Sequence, residues 1–339
     1  MRNRVIIICF LGLLMLVSSC QRREFAEWNT KIDLKLKVKT EIVNEPDLAM
    51  PEIMKANLFD PTNGDVAYAD YIKPEGGYIY PNPGRYDIVV HSMPTEGIQI
   101  RNEGNINDVE VYTSEVSSFL KSQLKQFLEK RALARAEREY AKAEAGTKVP
   151  QPETSAPSDK IVYEPDHFFA GHLYNINIPV LMEGESNRVI TLDMEAETVV
   201  ETWEISLTNI EGLQWVHSVV AIISGQVESH FIGRGEDSDA AVNIYFTMKK
   251  NDETGCLEGR FNTFGFHPAE QSEINLDINV VDISGEEQHI YVPIDLNELT
   301  TTGNRMDLTT PVVVEKPKEG GGFAPTVEDW EEIRTEIIL

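Results

Sequence analysis

The sequence has little cysteine, little positive charge and almost no long apolar run. Its three cysteines, Cys9, Cys20 and Cys256, are spread over 339 residues. That is too few for a disulfide-stapled scaffold or a cysteine-rich zinc cluster. Lys and Arg number 30 against 56 Asp and Glu, a formal net charge of −26. Such a chain repels phosphate backbones, so nucleic acid is not an expected partner. The longest uncharged apolar run, Val5–Val17, has thirteen residues. A helix needs about 20 to cross a bilayer core. Also missing are a GxGxxG after a strand, a P-loop, HExxH and GxSxG. No cofactor, no small-molecule substrate and no enzymatic activity are expected.

What is present begins with Arg2 and Arg4, then the apolar run, then Ser18, Ser19 and Cys20. A basic flank, a short apolar stretch and small residues make residues 1–19 a secretory signal peptide. A cysteine directly after the small residues resembles the lipobox of bacterial lipoproteins, with Val17 where Leu is commonest. In that class the thiol takes a diacylglycerol and the cysteine becomes the new N-terminus. Cys20 is thus the expected lipidation site and residues 20–28 a tether to the membrane. The competing readings are a plain signal peptide with an incidental Cys20, or a short transmembrane anchor. Acyl chains bind a bilayer at about 0.8 kcal/mol per buried methylene, so two or three hold firmly. With Cys9 removed and Cys20 acylated, Cys256 is the one free thiol, read as a small strand residue. The loss of Arg2 and Arg4 takes the charge to −28.

The mature chain alternates like a β protein. In TKIDLKLKVKT, Ile32, Leu34, Leu36 and Val38 alternate with charged residues, a strand with one face on a core. Its outward lysines suit an edge strand. DPTNG at 60–64 is a tight turn. GGYIYPNPGRYDIVVHSM joins two strands through a Pro-Asn-Pro-Gly turn, as in small Greek-key sandwiches of the transthyretin type. From Ser114 to Ala145 there is no Pro or Gly. Val116, Phe119, Leu120 and Leu124 fall at helical spacing, which predicts a long helix capped by Thr113 or Ser114 and ended by Gly146. Its first half packs on the sheet, and its charged second half projects into solvent. A Pro- and Ser-rich linker follows to Lys160. The helix and linker, 114–160, form an insertion in a first domain at 29–198. A second domain, 199–315, holds about seven short strands, with WVHSVVAIISG as its central one and two hairpins after it. A Gly-rich bridge and a last strand occupy 316–339. The fold class is mainly β, two tandem transthyretin-like antiparallel β-sandwich domains with one long helical insertion in the first.

Few residues carry chemistry. Glu236, Asp237 and Asp239 form the one calcium candidate, but an EF-hand loop needs more ligands at fixed spacing. A solvated acidic loop is the favoured reading. His167 and His172 are five apart, a spacing helical zinc sites do not use, and are read as loop and edge residues. Trp28, Tyr78, Tyr80, Trp215, Phe261, Phe264 and Phe266 supply a sugar platform if they converge, and core packing otherwise.

The order of these segments carries a resemblance. LVSSC, the first alternating strand, GGYIYPNPGRYDIVV, ETWEISLTNIEGL, SGQVES, GCLEGRFNTFG, HIYVPIDLNEL and a GGGF tail occur in sequence. Together they resemble a family of Bacteroidales surface lipoproteins similar to the fimbrial anchor subunits of the FimB/Mfa type. The resemblance covers most of the mature chain. It implies two transthyretin-like sandwiches in tandem on an N-terminal lipid, and an outer-membrane, cell-surface protein that seats or limits a fimbria. Its expected partners are fimbrial subunits engaged by strand addition. The 114–160 insertion departs from the general anchor pattern. QRREF after Cys20 lacks the acidic run that often marks surface export in this group, so the periplasmic leaflet stays open. The alternative function is a surface module that binds glycan or protein in adhesion.

Overall fold

The computed structural model describes residues 30–41, 44–45, 48–124, 129, 160–182, 188–268, 272–281, 287–296 and 303–316. The first strands are β1 (Lys31–Val38), β2 (Met54–Phe59), β3 (Val66–Ile72), β4 (Gly76–Ile79), β5 (Gly84–Ser92), β6 (Gln99–Arg101) and β7 (Glu110–Tyr112). One short helix, α1 (Ser118–Gln123), precedes β8 (Ile161–Tyr163), β9 (Phe169–Ile178) and β10 (Val189–Thr198). The chain continues through β11 (Glu201–Leu207), β12 (Ile210–Glu211), β13 (Ser218–Val227), β14 (Ser229–Phe231), β15 (Glu236–Asp237) and β16 (Ala241–Asn251). It ends in β17 (Cys256–Thr263), β18 (Glu273–Val281), β19 (Glu287–Asp295), β20 (Arg305–Leu308) and β21 (Val312–Val313). The protein is mainly β.

The first large sheet runs β3-β2-β5-β9-β10-β1-β4. β9 and β10 share two rungs, Ala170 with Glu197 and Phe169 with Thr198. Beyond them β9 follows β5 while β10 follows β1. The sheet therefore opens into two layers around one core, which includes Leu34, Met54, Ile88, Phe169 and Met194. The second sheet runs β19-β18-β13-β16-β17-β11-β20. β16 and β17 pair at Met248–Asn251 and Cys256–Gly259 before β17 goes on with β11. Its core includes Ile205, Ala221, Ile223, Phe246, Phe261 and Leu276. Each half is a β-sandwich, and β13 lies between β16 and β18 as its apolar run predicts.

The sheets are mixed, where the sequence reading expected antiparallel ones. β1 pairs in parallel with β10, and β11 pairs in parallel with β20. Parallel neighbours need a long crossover, and here most of each sandwich supplies it. β1 is also an interior strand, between β10 and β4, so its lysines do not guard an edge. Lys37 stands opposite Glu195 in the register, and Lys39 bonds Glu195 at 2.8 Å and also reaches Glu197. Gly76 is required where β4 meets β1. Its φ is +109°, and a Cβ there would lie 2.0 Å from the Leu34 carbonyl oxygen, a left-handed, crowded position that glycine alone fills. Past the Pro-Asn-Pro-Gly turn, the hydroxyl of Tyr86 donates back to the Asn82 carbonyl at 3.0 Å.

Three devices join the halves. β6 and β7 form one sheet with β14 and β15, through Tyr112 opposite Ser229 and Val111 opposite His230. β8 pairs in parallel with β16 and so joins the second sheet. A third core draws Phe59, Ile98, Val111 and Phe168 from before residue 198 and Val227 and Ile232 from after it. Gly233 packs here so closely that a Cβ would lie 1.8 Å from the Ile106 carbonyl oxygen.

The helix differs from its expected form where it is visible. Its cap is Ser117, whose Oγ accepts from the Leu120 N–H at 3.2 Å, rather than Thr113 or Ser114. Thr113 is tied elsewhere, its hydroxyl donating to the Tyr163 carbonyl at 2.8 Å. Val116 and Leu124 are buried with Ile161 and Ile222 of the second sheet, while Phe119 is 71% exposed. The insertion thus begins by covering the second sandwich. The rest of the expected helix, the linker and the tail after Lys316 lie outside the described residues.

Candidate functional site

The halves meet at a clasp assembled from distant segments. Asn44 has φ +68°, and its side-chain amide donates to the Asn304 carbonyl at 2.7 Å. Glu45 then lies 3.0 Å from His167 Nε2 and 3.5 Å from Arg260. The His167 ring is also within 2.9 Å of the hydroxyls of Thr198 and Thr202. Thr202 in turn donates to Asn262 at 2.8 Å. Burial pulls His167 below the ordinary imidazole value, and Glu45 opposes that pull. Glu164 nearby is pushed above the ordinary carboxyl value by burial, against the backbone N–H of Asn262. A cleft of about 450 Å³ beside the clasp is lined by Glu45, Pro51, Ile53, Met93, Asp166 and His167. A wider one of about 830 Å³ is lined by Glu164, Glu204, Lys249, Glu258, Arg260 and Arg305. His167 uses both ring nitrogens on neighbours from both halves, so its geometry is that of a bridge between them.

A second polar bridge spans the shared sheet. Arg101 grips Glu110 with two bonds, at 2.6 and 2.8 Å, and the Ser229 hydroxyl donates to the same carboxylate. Burial pushes Glu110 up, but Arg101 and Ser229 outweigh it and hold it below the ordinary carboxyl range. Bidentate pairs of this kind fix orientation as well as supplying energy.

The residues marked in the sequence do not converge. Cys20 and Trp28 lie outside the described residues. Asp237 pairs with His230 at 2.7 Å and Glu236 with Arg234 at 3.5 Å. Asp239 is exposed on the following loop. No group of three or more His, Cys, Asp or Glu among the described residues is arranged to hold a metal. His167 is in a loop, as read. His172 lies on β9 beyond its two rungs with β10, where the strand is paired with β5 alone, an edge position as read; its ring is bonded to the Ile232 carbonyl and stacked on Tyr174. Cys256 is a buried residue of β17. Phe261 and Phe264 are buried in different cores, and Phe266 meets Trp203 edge to face at 5.1 Å. Tyr78 and Tyr80 are half exposed on the first sandwich, so the described ones among these aromatics form no single platform. Sequence reading missed Asn44, Glu45 and Arg260. The only local signal was an Asn-Glu-Pro turn after the first strand.

Among the described residues, β19 and β20 end the second sheet. In β20 the carbonyls of Asn304 and Leu308 accept from Glu204 and Thr208 of the β11 side. Backbone groups alternate along a strand, so those of Arg305 and Asp307 face away from β11.

The fold and its junction define a class, a two-sandwich β protein with shared sheet and core. Residues 19–247 match the family described as "Domain of unknown function (DUF5119)", and the chain belongs to that family. It is 28% identical over 254 residues to the "Putative fimbrium anchoring subunit Fim4B" of Bacteroides ovatus. That match covers 74% of this chain and 63% of the relative, so the chain spans less than two thirds of that relative's length. A crystal structure of "a putative adhesin" from Bacteroides ovatus shares the fold, with a TM-score of 0.55, 22% identity and coverage of 89% of this chain and 98% of that one. The fimbrial anchor protein Mfa2 from Porphyromonas gingivalis superposes with a TM-score of 0.47 and 11% identity, over 82% of this chain and 89% of that one. The likeness to fimbrial anchor subunits carried by the sequence motifs is shown by the match to the Bacteroides ovatus relative.

Proposed function

We propose that this protein is a non-enzymatic lipoprotein of the outer membrane and cell surface that anchors or assembles a fimbria. In this reading Cys20 carries the lipid, the chain divides near residue 198 into two transthyretin-like sandwiches, and a fimbrial subunit adds a strand to an open edge of the second. The observation that carries it is the polarity of the molecule. β1 begins eleven residues after Cys20 at one end of the first sandwich, and its other end leads to the junction. Among the described residues β19 and β20 end the second sheet, as β3 and β4 end the first. An unpaired edge offers backbone donors and acceptors to an incoming strand. The match to a relative named as a fimbrium anchoring subunit supports the same role.

The test is Cys20→Ala in cells. The variant should leave the membrane fraction and the fimbriae should detach or lengthen. A variant that stays with the membrane would refute the anchor.

A further inference from the structure

Apolar side chains left in water gather at one end of the first sandwich. Thirteen large hydrophobic residues are exposed among the described residues, and Tyr78, Tyr80, Val180, Met182 and Val189 are five of them. The strand registers bring them together. Lys31 at the start of β1 pairs with Val189 at the start of β10. Ile32 pairs with Ile79, which places Tyr80 beside Lys31. Gly84 pairs with Ile178, so the Pro-Asn-Pro-Gly turn sits by the segment holding Val180 and Met182. Thr30 donates to the Pro179 carbonyl at 3.1 Å, closing the group. Val180 and Met182 are more than 70% exposed.

The apolar groups and the chain path name the occupant. Lys31 lies over the Tyr78 ring, 3.1 Å from its centre, and Arg85 is exposed at the start of β5. Arg22 and Arg23 stand between Cys20 and this end in the sequence. Tyrosines, aliphatic side chains and basic groups together are the composition of an interfacial membrane contact. Glu183 and Glu185 follow Met182 in sequence, so the apolar groups, more than charge, carry the argument. Thr30 is ten residues from Cys20, a reach of at most about 35 Å. A lipid on Cys20 would hold this end, and not the junction, at the bilayer, where a short tether makes even weak contacts populated.

We infer that this end of the first sandwich is a seat that rests on the lipid surface, with Tyr80, Val180 and Met182 at the level of the headgroups. The inference rests on lipidation at Cys20, and it adds that the protein stands on the membrane in one orientation. The test uses the full lipidated chain in vesicles of phosphatidylethanolamine and phosphatidylglycerol. Val180→Cys carries a bimane probe, and Val313→Cys, exposed on the second-sandwich side, carries the control. Headgroup spin-labelled lipid should quench the probe at 180 at least twofold and leave that at 313 unchanged. A bound protein with equal, weak quenching at both sites would overturn the seat and leave the anchor standing. A protein that does not sediment with vesicles at all would overturn both. Shielding of the probe at 180 only when a fimbrial subunit is added would assign the surface to protein and also overturn the seat. Tyr80→Ser with Met182→Ser, checked for native circular dichroism, should abolish the quenching at 180.

Discussion

In the first sandwich β10 has β1 along most of its length and β9 for its last two residues; in the second its counterpart β20 has β11 on one side and no described strand on the other. Both sandwiches close by pairing their first strand in parallel with a late one. They differ in what is left over. Among the described residues both leave backbone groups without a strand partner, the first along most of β10 and the second along β20. The first adds apolar side chains exposed at its tether end. Side chains of that kind suit a surface without directional bonds, such as lipid. Unpaired backbone suits another strand. One fold, used twice, thus provides two kinds of contact according to which element is uncovered.

The largest effect should come from breaking the junction that makes the two sandwiches one body. Gly233→Ala puts a methyl group into the Ile106 carbonyl. It should cost about 3 kcal/mol or more, the scale of severe packing errors. Urea unfolding followed by two site-specific probes should split from one transition into two. A single unchanged transition would show that the junction does not couple the halves.

Acid should separate the sandwiches next. His91 is fully buried, donates from Nδ1 to the Ser92 carbonyl at 2.7 Å and accepts from Asn57 at 3.1 Å. Burial pulls His91, His167 and His172 below the ordinary imidazole value. The unfolded chain therefore binds protons near pH 6.5 that the folded chain refuses, and stability falls as pH drops through that range. Glu164, raised by burial, acts with the opposite sign. All three histidines belong to the first sandwich or the junction. Hydrogen exchange at about pH 5.5 should thus open β5 and β9 before β13 and β18. The reverse order would count against a first sandwich limited by its neutral histidines.

The smallest effect on stability should fall on the open edge. Asp307→Pro removes an N–H that faces away from β11. Unfolding free energy should change by no more than about 1 kcal/mol, as expected at an edge. Uptake of a fimbrial subunit should nonetheless fall sharply in a pull-down. Normal uptake would exclude β20 as the receiving edge and leave β19.

The sandwiches were legible because their strands are long enough to show a period. Ile32, Leu34, Leu36 and Val38 are all buried, as their alternation required, and the hairpins at Asn251–Cys256 and β18–β19 fall where turn residues stand. The junction was not legible. β6, β7 and β14 have three residues each, too few for a period, and the pairing that joins the halves, β7 with β14, links segments far apart in sequence. The clasp joins Glu45 to His167 across 122 positions and Asn44 to Asn304 across 260. Parallel pairing of β1 with β10 was hidden for the same reason, since alternation gives a strand's faces and not its neighbour. Phe119 fits the helical spacing and yet faces water, because the sheet beneath meets only Val116, Leu120 and Leu124.

The parallel closing pair also sets a schedule. β1 is made first and finds β10 only after the intervening sandwich has been made. β8 must likewise wait for β16, and β11 for β20. A chain delivered N-terminus first therefore cannot close the first sandwich until β10 has arrived, or the second until β20 has. Contacts this remote in sequence fold slowly. The first sandwich can thus take shape once β10 arrives, while the second stays open until β20 does.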